Sequence, residues 1–234
     1  MTSLPTFSKW SALGNVYWLV ERAELDAPLT PARVRELGAD GVVEVVWGRR
    51  DEAEVVIWNP DGSTAELSGN GTRIAAKWLM ELNAVEAVEI RVGSRAVAAR
   101  KTASGEIEQD MGEVAVYERE RVAGLQVTPV SVGNPHAVVE GDPDDLPLIG
   151  PLLETHPRFP NRTNVQVAQL ERPGEIRARV WERGVGETQA SGTSAVAVAA
   201  ALAQNPAAVT FPGGTLHVRF DGRRAFLTGP AVRC

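Results

Sequence analysis

A motif that occurs twice leaves few architectures open to this chain. Glu54 to Trp58 is β-rich, and after a turn and Leu67-Ser68-Gly69-Asn70-Gly71-Thr72 comes Ile74 to Leu82, whose Ile74, Ala75, Trp78, Leu79 and Leu82 fall at helical spacing. Ile176 to Trp181 reads the same way. A polar loop, Glu182 to Gln189, leads into Ser191-Gly192-Thr193-Ser194 and then the Ala/Val run Ala195 to Ala203, stopped by Asn205-Pro206. Strand, polar loop, Ser-Gly step and buried helix thus recur, with Ser68 and Ser191 at matching places and the glycines expected just ahead of each helix. The repeat predicts two pseudo-equivalent lobes facing one cleft. A chain of 234 residues is long enough for each lobe to bury its own core.

The remaining signals fill in the lobes. Val16 to Val20, Val42 to Trp47, Val85 to Val92, Ala96 to Arg100, Glu106 to Met111 and Val127 to Val132 read as strands. Pro31 to Leu37 reads as a helix with Thr30 at its N-cap and Pro31 at its first position. Asn59-Pro60-Asp61-Gly62 is a strong turn signal. The boundary between lobes is expected near Gly112: residues 1–112 form the first, rejoined by a C-terminal strand at about 225–234, and residues 113–224 form the second.

Composition removes several classes of function. Lys+Arg 24 against Asp+Glu 30 gives a net charge of −6 with the basic residues scattered, which argues against nucleic acid as a partner. The single cysteine, Cys234, cannot close an intramolecular disulfide or build a thiolate zinc site. His156 and His217 lie far from His136 with no metal-type spacing, so no metal site is expected. Absence of an apolar leader near the N-terminus and of a membrane-length apolar window predicts a cytoplasmic protein with no membrane contact. With only Lys9, Lys77 and Lys101 present and no identifiable anchor among them, no PLP and no other cofactor is expected.

Chemistry is expected at the two Ser-Gly steps. A helix start carries unpaired N–H groups and partial positive charge, so it attracts a carboxylate or phosphate, especially where glycine lets backbone approach. Taken singly, each step is ordinary N-capping; taken as a pair with their neighbours, they read as functional. Those neighbours are Gly133-Asn134-Pro135-His136, Thr163-Asn164-Val165 and Trp181-Glu182-Arg183-Gly184, which place amide, imidazole, carboxylate and guanidinium groups at predicted strand ends. Arg183 has the fork geometry for a substrate carboxylate, and Glu182 suits an ammonium or the orientation of a proton; a surface ion pair is the bland reading of the two, and a structural histidine that of His136. Neither glycine cluster completes a dinucleotide or Walker fingerprint, since Gln189 and Ile74 stand where further glycines are needed.

Seven blocks then appear in one order: Ala12-Leu13-Gly14-Asn15, Asn59-Pro60-Asp61-Gly62-Ser63, Leu67 to Arg73, Gly133 to His136, Asn164-Val165, Trp181 to Thr188 and Thr228-Gly229-Pro230-Ala231. In this order the chain resembles the diaminopimelate epimerase family over nearly its whole length. The resemblance implies an α/β (α+β) fold of two pseudo-symmetric lobes, each a mostly antiparallel sheet wrapped around a central helix. It implies PLP-independent inversion of an amino acid α-carbon, a place in lysine biosynthesis and a homodimer. Inversion removes a proton from one face and returns one to the other, so two acid/base groups are needed. The resemblance places them at Ser68 and Ser191, assisted by His136 and Glu182. It assigns the amino acid to Asn15, Asn59, Asn134, Asn164, Glu182 and Arg183, and its α-carboxylate to backbone at Gly69, Asn70, Gly192 and Thr193.

Both acid/base positions depart from the family, which has cysteines there. A thiol titrates near 8.5 and a serine alkoxide several units higher; even about four units cost about 5 to 6 kcal/mol, a ten-thousandfold loss in proton abstraction. A helix N-terminus returns only about 0.3 to 1 kcal/mol of that. Three readings follow: an epimerase that uses its serines or neighbouring bases, or that was trapped inactive; an amino-acid-binding descendant without catalysis; and acyl transfer, the weakest because neither serine lies in Gly-x-Ser-x-Gly.

Overall fold

The structure, a computed structural model, describes residues 7–234; the first six residues of the stretch read for a leader lie outside it. The strands are β1 (Ser8–Ala12), β2 (Asn15–Glu21), β3 (Gly41–Gly48), β4 (Glu52–Trp58), β5 (Ala87–Val92), β6 (Arg95–Lys101), β7 (Ile107–Glu113), β8 (Ala115–Val116), β9 (Glu120–Val122), β10 (Leu125–Ser131), β11 (Pro135–Glu140), β12 (Asn164–Arg172), β13 (Glu175–Glu182), β14 (Gly186–Thr188), β15 (Ala207–Phe211), β16 (Gly214–Asp221), β17 (Arg224–Gly229) and β18 (Val232–Arg233). The helices are α1 (Pro31–Glu36), α2 (Gly69–Asn83), α3 (Leu146–Glu154) and α4 (Gly192–Ala201). The described residues divide into two compact units, residues 7–109 with 229–234, and residues 110–228. The first unit therefore stops at 109 where the sequence suggests 112. Of the expected C-terminal strand at about 225–234, most of β17 stays with the second unit and only Gly229–Cys234 returns to the first.

Strand pairing makes the internal repeat explicit. In the first unit β1–β2 is antiparallel, β2–β3 parallel, β3–β4 antiparallel, β4–β5 parallel, and β5–β6 and β6–β7 antiparallel. In the second, β10–β11 is antiparallel, β11–β12 parallel, β12–β13 antiparallel, β13–β15 parallel, and β15–β16 and β16–β17 antiparallel. The parallel pairs are the ones that need crossovers. Their helices fall at corresponding places: α1 and α3 bridge the first parallel pair of each unit, α2 and α4 the second.

Each unit buries its second helix. In α2 the first eight residues and Leu79 and Met80 are buried, packed with Trp10, Leu19, Val43, Val55, Ile57 and Ile90. Gly71 is required there, because a Cβ would sit 2.8 Å from Ile57 Cδ1. Helix α4 is buried from Gly192 through Ala199 and is apolar around its whole circumference, so its Ala and Val residues read as core on every side. α1 has Thr30 Oγ1 accepting from Arg33 N–H at 3.3 Å, with Pro31 at its first position.

Both buried helices begin earlier than their apolar periodicity suggests, at Gly69 instead of Ile74 and at Gly192 instead of Ala195; α4 also ends at Ala201, short of Ala203. Glycine's low helix propensity hides the onset, and close packing against the sheet overrides it. Gly69, Asn70, Gly192 and Thr193 thus form first helical turns and are not loop residues ahead of a helix. No helix among the described residues is long and apolar enough to cross a membrane.

Candidate active site

In the first unit, Ser68 is the N-cap of α2 with extended backbone (φ −131, ψ 116). Its Oγ accepts from Gly71 N–H at 3.1 Å, and its carbonyl accepts from Thr72 N–H at 2.9 Å and Thr72 Oγ1 at 2.7 Å. The Tyr17 hydroxyl lies 3.5 Å from Ser68 Oγ. One turn on, Arg73 is fully buried: Nη1 donates to Gly69 O at 3.1 Å, Nη2 to Asn70 Oδ1 at 2.9 Å and Nε to Pro230 O at 2.9 Å. Burial pushes this guanidinium down to about 10 against the opposing pull of Tyr17 and Glu106, so it remains a cation at neutral pH. Asn15 is buried beside the β1–β2 turn, with Nδ2 3.4 Å from Ala12 O. Asn59 closes its own turn, donating from Nδ2 to Ser63 Oγ at 2.9 Å and from its backbone N–H to Ser63 O at 2.8 Å.

The second unit holds a connected set of side chains. Ser191 is the N-cap of α4 (φ −140, ψ 128), but its hydroxyl makes no capping bond. His136 and Asn164 are cross-strand partners on β11 and β12. His136 is buried, with Nε2 2.9 Å from Asn134 Oδ1 and Nδ1 3.0 Å from Gln166 Nε2, which also donates to Ser194 Oγ at 2.9 Å. With Gln166 donating to Nδ1, the ring keeps its proton on Nε2 and donates it to Asn134. Desolvation first, and the Arg183 charge, push the imidazole down to about 3 against the Gln166 hydrogen bond, so it is neutral at pH 7. Asn134 Nδ2 in turn reaches Thr193 Oγ1 in the first turn of α4 at 3.4 Å. As placed, both ring nitrogens orient partners, and neither addresses a serine.

The loop carrying Glu182 and Arg183 is pinned from two sides. Asn164 Oδ1 accepts from Arg183 N–H at 3.0 Å, while Asn164 Nδ2 donates to Pro135 O at 2.9 Å. The buried Glu154 carboxylate accepts from Gly184 N–H at 2.7 Å and Trp181 Nε1 at 2.7 Å and pairs with Arg162 at 2.9 Å. Glu182 Oε1 accepts from Thr188 Oγ1 at 2.6 Å across the β13–β14 hairpin. These bonds fix the backbone that carries Glu182 and Arg183.

The diaminopimelate epimerase family profile matches residues 7–117 and 128–234, including both helix starts. A diaminopimelate epimerase of Synechococcus elongatus is 39% identical over 268 residues, covering 97% of this chain and 95% of that protein. Another, from Synechococcus sp. (strain JA-2-3B'a(2-13)), is 36% identical over 276 residues, covering 99% and 97%. This chain belongs to the diaminopimelate epimerase family. The fold is shared more widely. A protein of Pseudomonas aeruginosa described as a predicted epimerase superposes with a TM-score of 0.75 at 18% identity, covering 99% of this chain and 97% of the other. A hydroxyproline epimerase of Agrobacterium vitis, solved with bound trans-4-OH-L-proline, gives 0.72 at 15%, covering 98% and 90%.

For a diaminopimelate epimerase family chain, the groups that sequence reasoning passes over are those that hold others: Tyr17, Arg73, Glu154, Gln166 and Ser194. Two had a readable signal. Gln166 lies two residues after Asn164, on the same strand face, and Arg73 one turn after Gly69, on the same helix face. Among the described residues, no group of three or more His, Cys, Asp or Glu is arranged to hold a metal ion.

Proposed function

We propose that this protein is an amino acid epimerase that works without pyridoxal phosphate and takes diaminopimelate as its substrate. The observation that carries this reading is that Ser68 and Ser191 occupy the same structural position, the N-cap of the buried helix that bridges the second parallel strand pair in each unit. Inversion needs two proton-transfer groups, and each unit carries one cap serine. The first turns at Gly69-Asn70 and Gly192-Thr193 supply N–H groups for an α-carboxylate. Asn15, Asn59, Asn134, Asn164, Glu182 and Arg183 bind the rest of the amino acid. His136 sets the orientation of Asn134, and Glu182 either binds the ammonium or orients a proton. The family resemblance further supports a cytoplasmic homodimer serving lysine biosynthesis, which fractionation and light scattering would check.

Serine makes a slow version of this reaction. The test follows the α-CH signal of LL-diaminopimelate by NMR in heavy water. The expected result is slow exchange by the native chain, raised when Ser68→Cys and Ser191→Cys are made together, by up to the about ten-thousandfold that separates a thiol from an unassisted serine. Saturable binding with no exchange in either protein would refute the reading and leave an amino-acid-binding protein.

A further inference from the structure

Serine at an acid/base position needs a neighbour to take its proton, and the first unit contains one. Ser68 Oγ accepts from the Gly71 N–H at 3.1 Å, which leaves its own hydroxyl proton to be donated. The Tyr17 oxygen stands 3.5 Å away, at the outer limit of a direct hydrogen bond and of the looseness expected before substrate tightens a site. Nor is the ring's place accidental. Tyr17 on β2 is the direct cross-strand partner of Gly41 on β3, and a Cβ at residue 41 would lie 2.3 Å from the ring's Cε1. The ring therefore fills the space that glycine leaves and packs in the same buried cluster as Ile74 of α2. Arg73, one turn beyond Ser68, is the buried cation near the Tyr17 ring.

We propose that Tyr17 is the proton partner of Ser68, its phenolate taking the serine hydroxyl proton as Ser68 takes the α-proton of a bound amino acid. The Cα–H bond breaks and its proton goes to Ser68 Oγ. The original serine proton goes to the Tyr17 oxygen, and the electron pair stays on the substrate, delocalised into the carboxylate. Return of both protons along the same path reprotonates the carbon. The role rests on the proposal that Ser68 exchanges the α-proton, and it explains how a hydroxyl serves there: a phenol titrates near 10, well below a serine alkoxide.

Tyr17→Phe removes one oxygen and keeps the ring that fills the Gly41 space. Exchange of LL-diaminopimelate in heavy water is measured for the native chain, Tyr17→Phe, Ser68→Cys and the double variant. In the serine background, kcat is expected to fall by about 10² to 10⁴ with KM nearly unchanged. In the Ser68→Cys background a thiol needs no phenol, and the loss is expected to shrink below about tenfold. An unchanged kcat in Tyr17→Phe, or an equal loss in both backgrounds, overturns the role of Tyr17 while leaving the epimerase reading intact. A native chain that binds but does not exchange overturns both. Should Tyr17→Phe fail to fold, fluorotyrosine incorporated in a Tyr117→Phe background, where Tyr17 is the remaining tyrosine, replaces it. The more acidic phenol is expected to move the basic limb of the rate profile to lower pH, and an unmoved limb overturns the role.

Discussion

Acid should destabilise this protein through His136 more than through an ordinary surface histidine. The ring is buried, holds Asn134 and Gln166 through its two nitrogens, and is pushed down to about 3 from an ordinary value of 6.5. Above pH 6.5 neither the folded nor the unfolded chain protonates it, and His136 leaves stability unchanged. Below 6.5 the unfolded chain binds a proton that the folded chain refuses, so stability falls as pH falls, by about 1.4 kcal/mol per pH unit until the folded value is reached. At pH 5 the loss is about 2 kcal/mol, and at about 2–4 °C per kcal/mol for a chain of this size Tm drops by about 4–8 °C. Carboxylates contribute their own acid dependence, so the measurement is a difference: calorimetric Tm from pH 8 to 4.5 for the native chain and for His136→Gln. The variant should start lower, having lost part of the Asn134–Gln166 linkage, but fall less steeply below pH 6.5. Parallel curves would refute the buried, neutral imidazole.

Three further outcomes follow from packing and hydrogen bonding. Ala84, which ends α2 with φ 51, is a left-handed non-glycine, and Ala84→Gly should stabilise by about 0.5 to 1 kcal/mol in urea denaturation. Gly71→Ala places a methyl 2.8 Å from the buried Ile57 Cδ1 and should cost about 1 to 3 kcal/mol by the same measurement. Glu154→Gln takes the charge from the Arg162 pair and gives the side chain one acceptor where Gly184 N–H and Trp181 Nε1 now have two; KM for diaminopimelate should rise more than kcat falls.

Sequence reasoning located the repeated scaffold because both halves announce it with the same local chemistry. Pro31 behind Thr30 gives α1 to within a residue, and Asn59-Pro60-Asp61-Gly62 marks the turn after β4. Strand limits shift by a residue or two, as for Val16 to Val20 within β2 and Ile176 to Trp181 within β13. The onset of α2 and α4 was hidden because glycine, asparagine and threonine form the first turns while the apolar spacing starts later. The polar loop from Glu182 to Gln189 conceals β14, a three-residue strand that no periodicity can reveal. Asn134 and His136 stood out as types, but their link through Gln166 to Ser194 depends on strand register and helix placement, which only coordinates supply. Tyr17 reads as one more aromatic in a β run until Gly41 is seen to lie beside it.

The return of Gly229–Cys234 to the first unit has a consequence for how the chain is made. Arg73 completes its bonding with the carbonyl of Pro230, 157 residues later. At about 5–20 residues per second a ribosome needs about 8–30 s to cover that interval. Throughout it Nε of that guanidinium lacks its Pro230 acceptor, although Nη1 and Nη2 can already reach Gly69 and Asn70, while the whole of 110–228 emerges. The earlier-synthesised helix start is therefore the later one to be locked in place.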